Sequence, residues 1–118
     1  MPMRPFLSIL IPTFNRAECL DRLLCELAIQ INNSGLCDII EVVIGHNSSV
    51  DSTSCVINSH LSSNKYFLCV TQFSNIGAEL NILSLFNSSC GKFRWIIGDD
   101  DLLRSGLINL VVNLLQAN

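Results

Sequence analysis

The chain has 118 residues, 49% of them hydrophobic and 14% charged, with a formal net charge of −3. That length fits one domain, and the low charge fits a well-buried α/β core. The seven Lys and Arg residues form no basic run, which argues against a nucleic-acid partner. The apolar stretches are broken by Asn, Ser and Gln before reaching the roughly 20 residues a membrane helix needs, so no transmembrane segment is expected.

In chain order, Phe6 to Ile11 (FLSILI) is a short apolar run stopped by Pro12 and reads as a buried strand. Leu20, Leu23, Leu24, Leu27 and Ile31 follow at helical spacing, predicting a helix of about four turns that ends at Asn32-Asn33-Ser34-Gly35. Ile39 to Ile44 is a second strand, and Gly45 to Ser52 a polar loop. Asp51 or Ser52 can cap a helix running to about Leu61. Tyr66 to Thr71 is a third strand, Ser74 to Gly77 a loop, and Ala78 to Asn87 a third helix. Phe93 to Ile97 is a fourth strand, expected to be buried on both faces, and Ser105 opens a last helix. This alternation predicts a parallel sheet of about four strands with helices on both faces, a three-layer Rossmann-like α/β domain.

The start of the sequence lacks the features of a signal peptide. The six cysteines contain no C-x-x-C pair. Free and mostly buried thiols in a reducing cytosol are therefore expected. The N-x-S triplets at Asn32, Asn47 and Asn87 then read as polar turns.

Ligands of parallel sheets bind at the carboxyl ends of the strands, near a switch in strand order. Those ends hold Thr13-Phe14-Asn15-Arg16, His46-Asn47-Ser48-Ser49, Gln72-Phe73-Ser74-Asn75, and the triplet Asp99-Asp100-Asp101. Three adjacent carboxylates repel one another, and burying them unpaired is costly. A bound Mg²⁺ or Mn²⁺ relieves that repulsion through an oxygen-only shell completed by phosphate and water. A solvated acidic turn explains the triplet equally well when it is taken alone. A calcium loop needs alternating acids with a following Gly and Glu, a spacing missing here. A phosphorylated receiver needs an acidic pair after the first strand, where this chain has Pro-Thr-Phe-Asn. G-x-x-x-x-G-K-[ST] is absent, which excludes a P-loop.

Four segments, SILIPTFNR (Ser8 to Arg16), VVIGHNSSVDST (Val42 to Thr53), NIGAELN (Asn75 to Asn81) and WIIGDDDLL (Trp95 to Leu103), occur in one order along the chain. In order and spacing they resemble the inverting glycosyltransferases of family 2, which have the GT-A fold, and among these the bacterial sugar transferases of the abequosyltransferase type. The resemblance implies a nucleoside-diphosphate-sugar donor held through Mn²⁺ or Mg²⁺, a saccharide acceptor, and a cytoplasmic location, free or at the inner face of the membrane. By the same resemblance Asp100 is the metal ligand, Asp99 a ribose or second metal contact, and Asp101 a metal or acceptor contact. Thr13, Asn15 and Arg16 fall where the family's first loop meets the nucleotide, and Asn75, Gly77 and Asn81 match its motif near the donor. The base-binding acid of the second loop is replaced here by His46, followed by Asn47, while Asp51 stands where a second acid of that loop lies. A plain turn at Asn75 and Gly77, and a helix cap at Asp51, remain the alternative readings.

Family members continue beyond the triplet into a part that carries the acceptor site and the catalytic base. None of the acids here is an evident candidate for that base. The last helix is apolar nearly all round, with Leu107, Leu110, Val111, Leu114 and Leu115 on one face and Ile108 and Val112 on the other. The expectation is a nucleotide-binding domain over residues 1–118 that lacks a C-terminal part or forms a homodimer. The other function class left open is a non-catalytic nucleotide-sugar-binding fragment or interaction module.

Overall fold

The computed structural model describes residues 4–117. Its elements run β1 (Leu7–Thr13), α1 (Ala17–Asn33), β2 (Ile40–His46), α2 (Thr53–Ser63), β3 (Phe67–Thr71), α3 (Ala78–Ser88), β4 (Phe93–Ile96) and α4 (Leu107–Gln116). The four strands form one sheet in the order β3-β2-β1-β4, and all three pairings are parallel. The chain steps outward from β1 to β3, then returns to place β4 on the far side of β1. The switch in strand order therefore lies between β1 and β4.

Alternation along the strands divides the core into two layers. Leu7, Ile9, Ile11, Val42 and Ile44 point to the face covered by α1, α2 and α4, where they meet Leu20, Leu24, Leu27, Ile57 and Ile108. Leu10 and Val43 point the other way and are covered by Leu85 of α3. Helices thus cover both faces, and the architecture is the three-layer α/β fold.

β1 runs through Pro12 rather than stopping there. β4 pairs only with Leu7 to Leu10, so at Pro12 the strand keeps β2 as its single neighbour. A residue without an N–H is tolerated where one side of the ladder has ended.

Three expectations fail. First, β4 is not buried on both faces. It is an edge strand, alternately half-buried and exposed, with Ile96 41% exposed. Second, α4 packs through Ile108 and Val112, which are fully buried, while Leu110 and Leu114 are exposed. Gln30 of α1 sets this rotation. Its amide NH₂ donates to the Arg104 carbonyl at 2.9 Å, and its Oε1 accepts the Ile108 N–H at 3.0 Å. Third, the cysteines are free, but none is buried: Cys25, Cys37, Cys55 and Cys90 are exposed, Cys19 and Cys69 half-buried. On α1, Cys19 and Cys25 lie off the Leu20–Leu23–Leu24–Leu27 stripe that faces the core.

Candidate functional site

Thr13 ends β1 and Asp99 follows β4, so the two sides of the switch point meet there. Thr13 Oγ1 donates to Asp99 Oδ2 at 2.8 Å, with both residues buried. Arg16 reaches over from the β1–α1 loop. Its Nε lies 3.6 Å from Asp99 Oδ1, and its Nη1 donates to Asp100 Oδ2 at 3.3 Å. Burial pushes the Asp99 carboxyl above its ordinary range, against the pull of the Thr13 hydroxyl and the Arg16 charge.

Asp99, Thr13 and Arg16 line a cleft of about 330 Å³ with Pro12, Phe14, Asn47, Ala78, Asn81 and Gly98. Asn81, on the buried side of α3, donates its Nδ2 to the Gly45 carbonyl at 2.9 Å. Its Oδ1 is buried with no hydrogen-bond partner among the described residues. A Cβ at residue 45 would lie 2.8 Å from that oxygen, so the glycine in β2 is what lets Asn81 close onto the strand. Gly45 was visible in the sequence, but its partner was not.

Asn47 wires the second loop to the third. Its Nδ2 donates to Asn75 Oδ1 at 2.9 Å, and its Oδ1 accepts the Ile76 N–H at 3.0 Å. Asn75 Oδ1 also accepts the Gly77 N–H at 2.9 Å, and Gly77 has φ +87°, a value that favours glycine. Asn75 and Gly77 thus shape the wall behind Asn47 and are not among the residues lining the cleft.

A second cleft, about 640 Å³, lies on the other flank of the first loop, between Asn15, Arg16, Ala17, Asp51 and Ser52. Asn15, in the left-handed region at φ 52°, accepts the Val50 N–H at 2.8 Å, while its own N–H donates to Ser49 Oγ at 2.8 Å. Asp51 accepts from the Thr53 N–H at 3.0 Å, from the Thr53 hydroxyl, and from the Ala17 N–H at 3.4 Å. These bonds hold its carboxyl below the usual range. Asp51 therefore ties together the N-termini of α1 and α2, and Ser52, the N-cap residue, makes no side-chain cap bond.

His46 is buried at the end of β2, and its Nε2 faces the Ser49 N–H at 3.3 Å as an acceptor. Burial lowers its pKa, opposed by the charge of Asp51, so the neutral ring is favoured.

The acidic triplet divides its labour. Asp99 turns inward to Thr13, Asp100 outward to Arg16, and Asp101 back to accept the Gly98 N–H at 2.8 Å. Asp100 Oδ1 and Asp101 Oδ2 lie 3.2 and 3.3 Å from the point where a Cβ at residue 98 would stand, so both carboxylates fold back on Gly98. Adjacent carboxylates with no nitrogen or sulfur donor among them are the donor type that suits a hard divalent cation, which completes its shell with phosphate and water. Phe14, 41% exposed between Thr13 and Asn15, is a cleft residue that the motif reading passed over. An aromatic in a polar loop was the available signal.

A parallel α/β sheet with polar loops gathered at its switch point defines a ligand-binding domain of the doubly wound class. Residues 8–118 match the family model Glycosyl transferase family 2, and the chain belongs to that family. It is 30% identical over 113 residues to abequosyltransferase RfbV of Salmonella typhimurium, covering 94% of this chain and 33% of that protein. It is 34% identical over 111 residues to the GalNAc(5)-diNAcBac-PP-undecaprenol beta-1,3-glucosyltransferase of Campylobacter jejuni, covering 92% and 34%. The chain thus spans about a third of the length of these relatives. Among solved structures, S. aureus TarS superposes with a TM-score of 0.84 at 18% identity, over 95% of this chain and 32% of that one. The mannosyltransferase PcManGT from Pyrobaculum calidifontis, in complex with GDP-Man and Mn²⁺, gives 0.78 at 22% identity, over 92% and 32%. The fold is that of the GT-A glycosyltransferases.

Proposed function

We propose that residues 1–118 are the nucleotide-sugar-binding domain of an enzyme that moves a sugar, with inversion, from a nucleoside diphosphate to a saccharide acceptor. The setting is surface polysaccharide synthesis on the cytoplasmic side. Among the described residues, no helix is long and apolar enough to cross a membrane. The observation that carries the reading is the junction of Thr13, Arg16 and Asp99 at the switch point, beside the carboxylates of Asp100 and Asp101. One arginine does not balance three acids, so a diphosphate placed there needs a divalent cation. Asp100 and Asp101 hold Mn²⁺ or Mg²⁺, which when bound neutralises the diphosphate and improves it as a leaving group. Arg16, half-exposed at the mouth, offers a second cation to phosphate oxygens.

Asp99, fixed by Thr13, accepts from a ribose hydroxyl. Asn81, on the cleft wall, holds α3 against β2 through Gly45. Asn47, Asn75 and Gly77 hold the wall of the donor cleft. Asn15, His46 and Asp51 sit on the base side. The neighbours bound to UDP-GlcNAc and to GDP-Man with Mn²⁺ support a ligand of this class.

Calorimetry with UDP-, GDP-, CDP- and dTDP-sugars in Mn²⁺ tests the reading. One donor should bind, EDTA should abolish binding, and Asp100→Asn should weaken it at least ~10-fold, about 1.4 kcal/mol. No binding by any donor, or binding indifferent to EDTA and to the mutation, overturns it.

The proposal extends to self-association as a homodimer. β4 is an edge strand with exposed Ile96, and beside it lies a mainly apolar groove of about 340 Å³ lined by Leu7, Phe93, Arg94, Trp95, Val111 and Leu115. Sedimentation should show a dimer that replacing the exposed Leu110 and Leu114 with Glu shifts toward monomer. A wild-type monomer at high micromolar concentration removes the idea.

A further inference from the structure

The packed surfaces of α1 and α2 carry a group of side chains that the clefts do not use. Asp21 and Cys25 stand four residues apart on α1, so they are neighbours on one helix face. His60, in the last turn of α2, reaches across to them. Its Nε2 lies 2.7 Å from Asp21 Oδ1 and 3.9 Å from Cys25 Sγ, and Cys25 Sγ lies 3.9 Å from Asp21 Oδ1.

A cysteine–histidine–carboxylate relay would use both ring nitrogens, one for the thiol and one for the acid. Here thiol and acid address the same nitrogen. Three different donor atoms within 4.8 Å of one another, converging on one point, have the layout of a coordination site. Zn²⁺ takes such N, S and O donors at about 2.0–2.3 Å in a tetrahedron, which sets donor atoms roughly 3.3–3.6 Å apart. The observed separations straddle that range, so small side-chain rotations suffice. The His60 ring is buried and packs 6.0 Å from the Phe67 ring, which fixes its direction. Asp21 and Cys25 are exposed, which leaves a route for an ion to enter.

We propose that Asp21, Cys25 and His60 form a Zn²⁺-binding site that staples α1 to α2, with water as the fourth ligand. The thiolate separates this site from the oxygen-only triplet: a borderline-soft ion sorts here, a hard ion to the triplet. The staple also bears on the clefts. The N-termini of the same two helices are joined by Asp51 at the rim, so fixing one helix against the other fixes that rim.

The test uses the untagged, reduced chain and Co²⁺ as a spectroscopic stand-in for Zn²⁺. One equivalent of Co²⁺ should give a near-ultraviolet thiolate charge-transfer band. Zn²⁺ should bleach that band, and at a hundredfold excess over its Kd should raise the Tm by roughly 10 °C. Cys25→Ser should abolish the band. His60→Gln should weaken Co²⁺ binding at least ~10-fold. Cys90→Ser, at a distant exposed thiol, should keep the band. The inference is overturned by no band at millimolar Co²⁺, by an undiminished band in Cys25→Ser, or by Zn²⁺ that leaves the Tm unchanged. Circular dichroism of Cys25→Ser, an exposed and near-isosteric change, verifies that a lost band is not a lost fold.

Discussion

Two buried acids, Glu41 and Asp99, each 8% exposed, sit at opposite ends of the same sheet. Glu41 lies at the amino end. Its Oε2 accepts from the Ser8 hydroxyl and from the Cys90 N–H at 2.7 Å, and Ser8 Oγ in turn accepts the Gly91 N–H at 2.8 Å. Arg4 closes the turn from outside, with its Nε 2.8 Å from the Cys90 carbonyl. Both hydrogen bonds to Glu41 are buried or part-buried, and Glu41 lines none of the clefts described above. Asp99 lies at the carboxyl end, and one of its partners is the half-exposed side chain of Arg16, at 3.6 Å. It also borders a cleft and two further carboxylates. Equal burial therefore means different things. An acid tied to a buried hydroxyl and a turn N–H holds the fold. An acid with a half-exposed partner beside open space is the one placed to meet a ligand, as proposed for Asp99.

The sharpest way to break the amino end is Gly91→Ala. A Cβ there would lie 2.4 Å from Ser8 Oγ and 2.6 Å from Ser8 N. The backbone nitrogen cannot give way, so the loss should be about 3 kcal/mol, a drop in Tm of roughly 10 °C in thermal melts. Glu41→Ala comes next. It strands the Cys90 N–H and one bond of Ser8, at about 2 kcal/mol, and donor affinity of the folded fraction should not change.

Asp99→Asn should reverse that pattern. Burial raises the Asp99 pKa, so its ionised form opposes folding at neutral pH, and that penalty disappears only as pH falls through the raised value. Removing the charge should therefore shift stability by less than about 1 kcal/mol while donor affinity falls ~10-fold or more. Melts and calorimetry on the three variants should separate the two ends. A stable Glu41→Ala, or an Asp99→Asn that loses stability or keeps full donor affinity, would erase the distinction.

Much of this fold was legible in the sequence. The periods of 2 and 3.6 placed all eight elements within a residue or two, because local propensity and burial agree along most of the chain. Strand order was not legible, since an apolar strand carries no label for its neighbour. At β4 the run Phe93 to Ile97 reads as buried on both faces, yet the strand is alternately half-buried and exposed, because it pairs on one side only. The rotation of α4 was hidden because its selector, Gln30, is a polar residue on the buried side of a different helix. At the site, the residue types were legible and their pairings were not. Thr13 and Asp99 are 86 positions apart, and only the β1–β4 neighbourhood brings them together. The Asp21–Cys25–His60 group was missed for the same reason: i, i+4 spacing flags the first two, but nothing local points to His60.

The smallest expected effect concerns His46, the residue that departs from the family's acid. Burial lowers its pKa below 6.5, although Asp51 pulls the other way. The unfolded chain, with an ordinary histidine, takes up a proton near pH 6.5, whereas the folded chain resists it. In the window between the two values the unfolded state binds more protons, so stability rises with pH there and is lost as pH falls below about 6.5. Protonation would also remove the acceptor that Nε2 presents to the Ser49 N–H, loosening the loop that carries Asn47 and Ser49. His46→Gln should therefore flatten the pH dependence of Tm between about pH 8 and pH 5 relative to wild type. Comparing the two proteins cancels the titration of all other groups. Parallel curves for wild type and variant would mean that His46 is free to protonate in the folded chain and that the neutral ring is not what the second loop is built on.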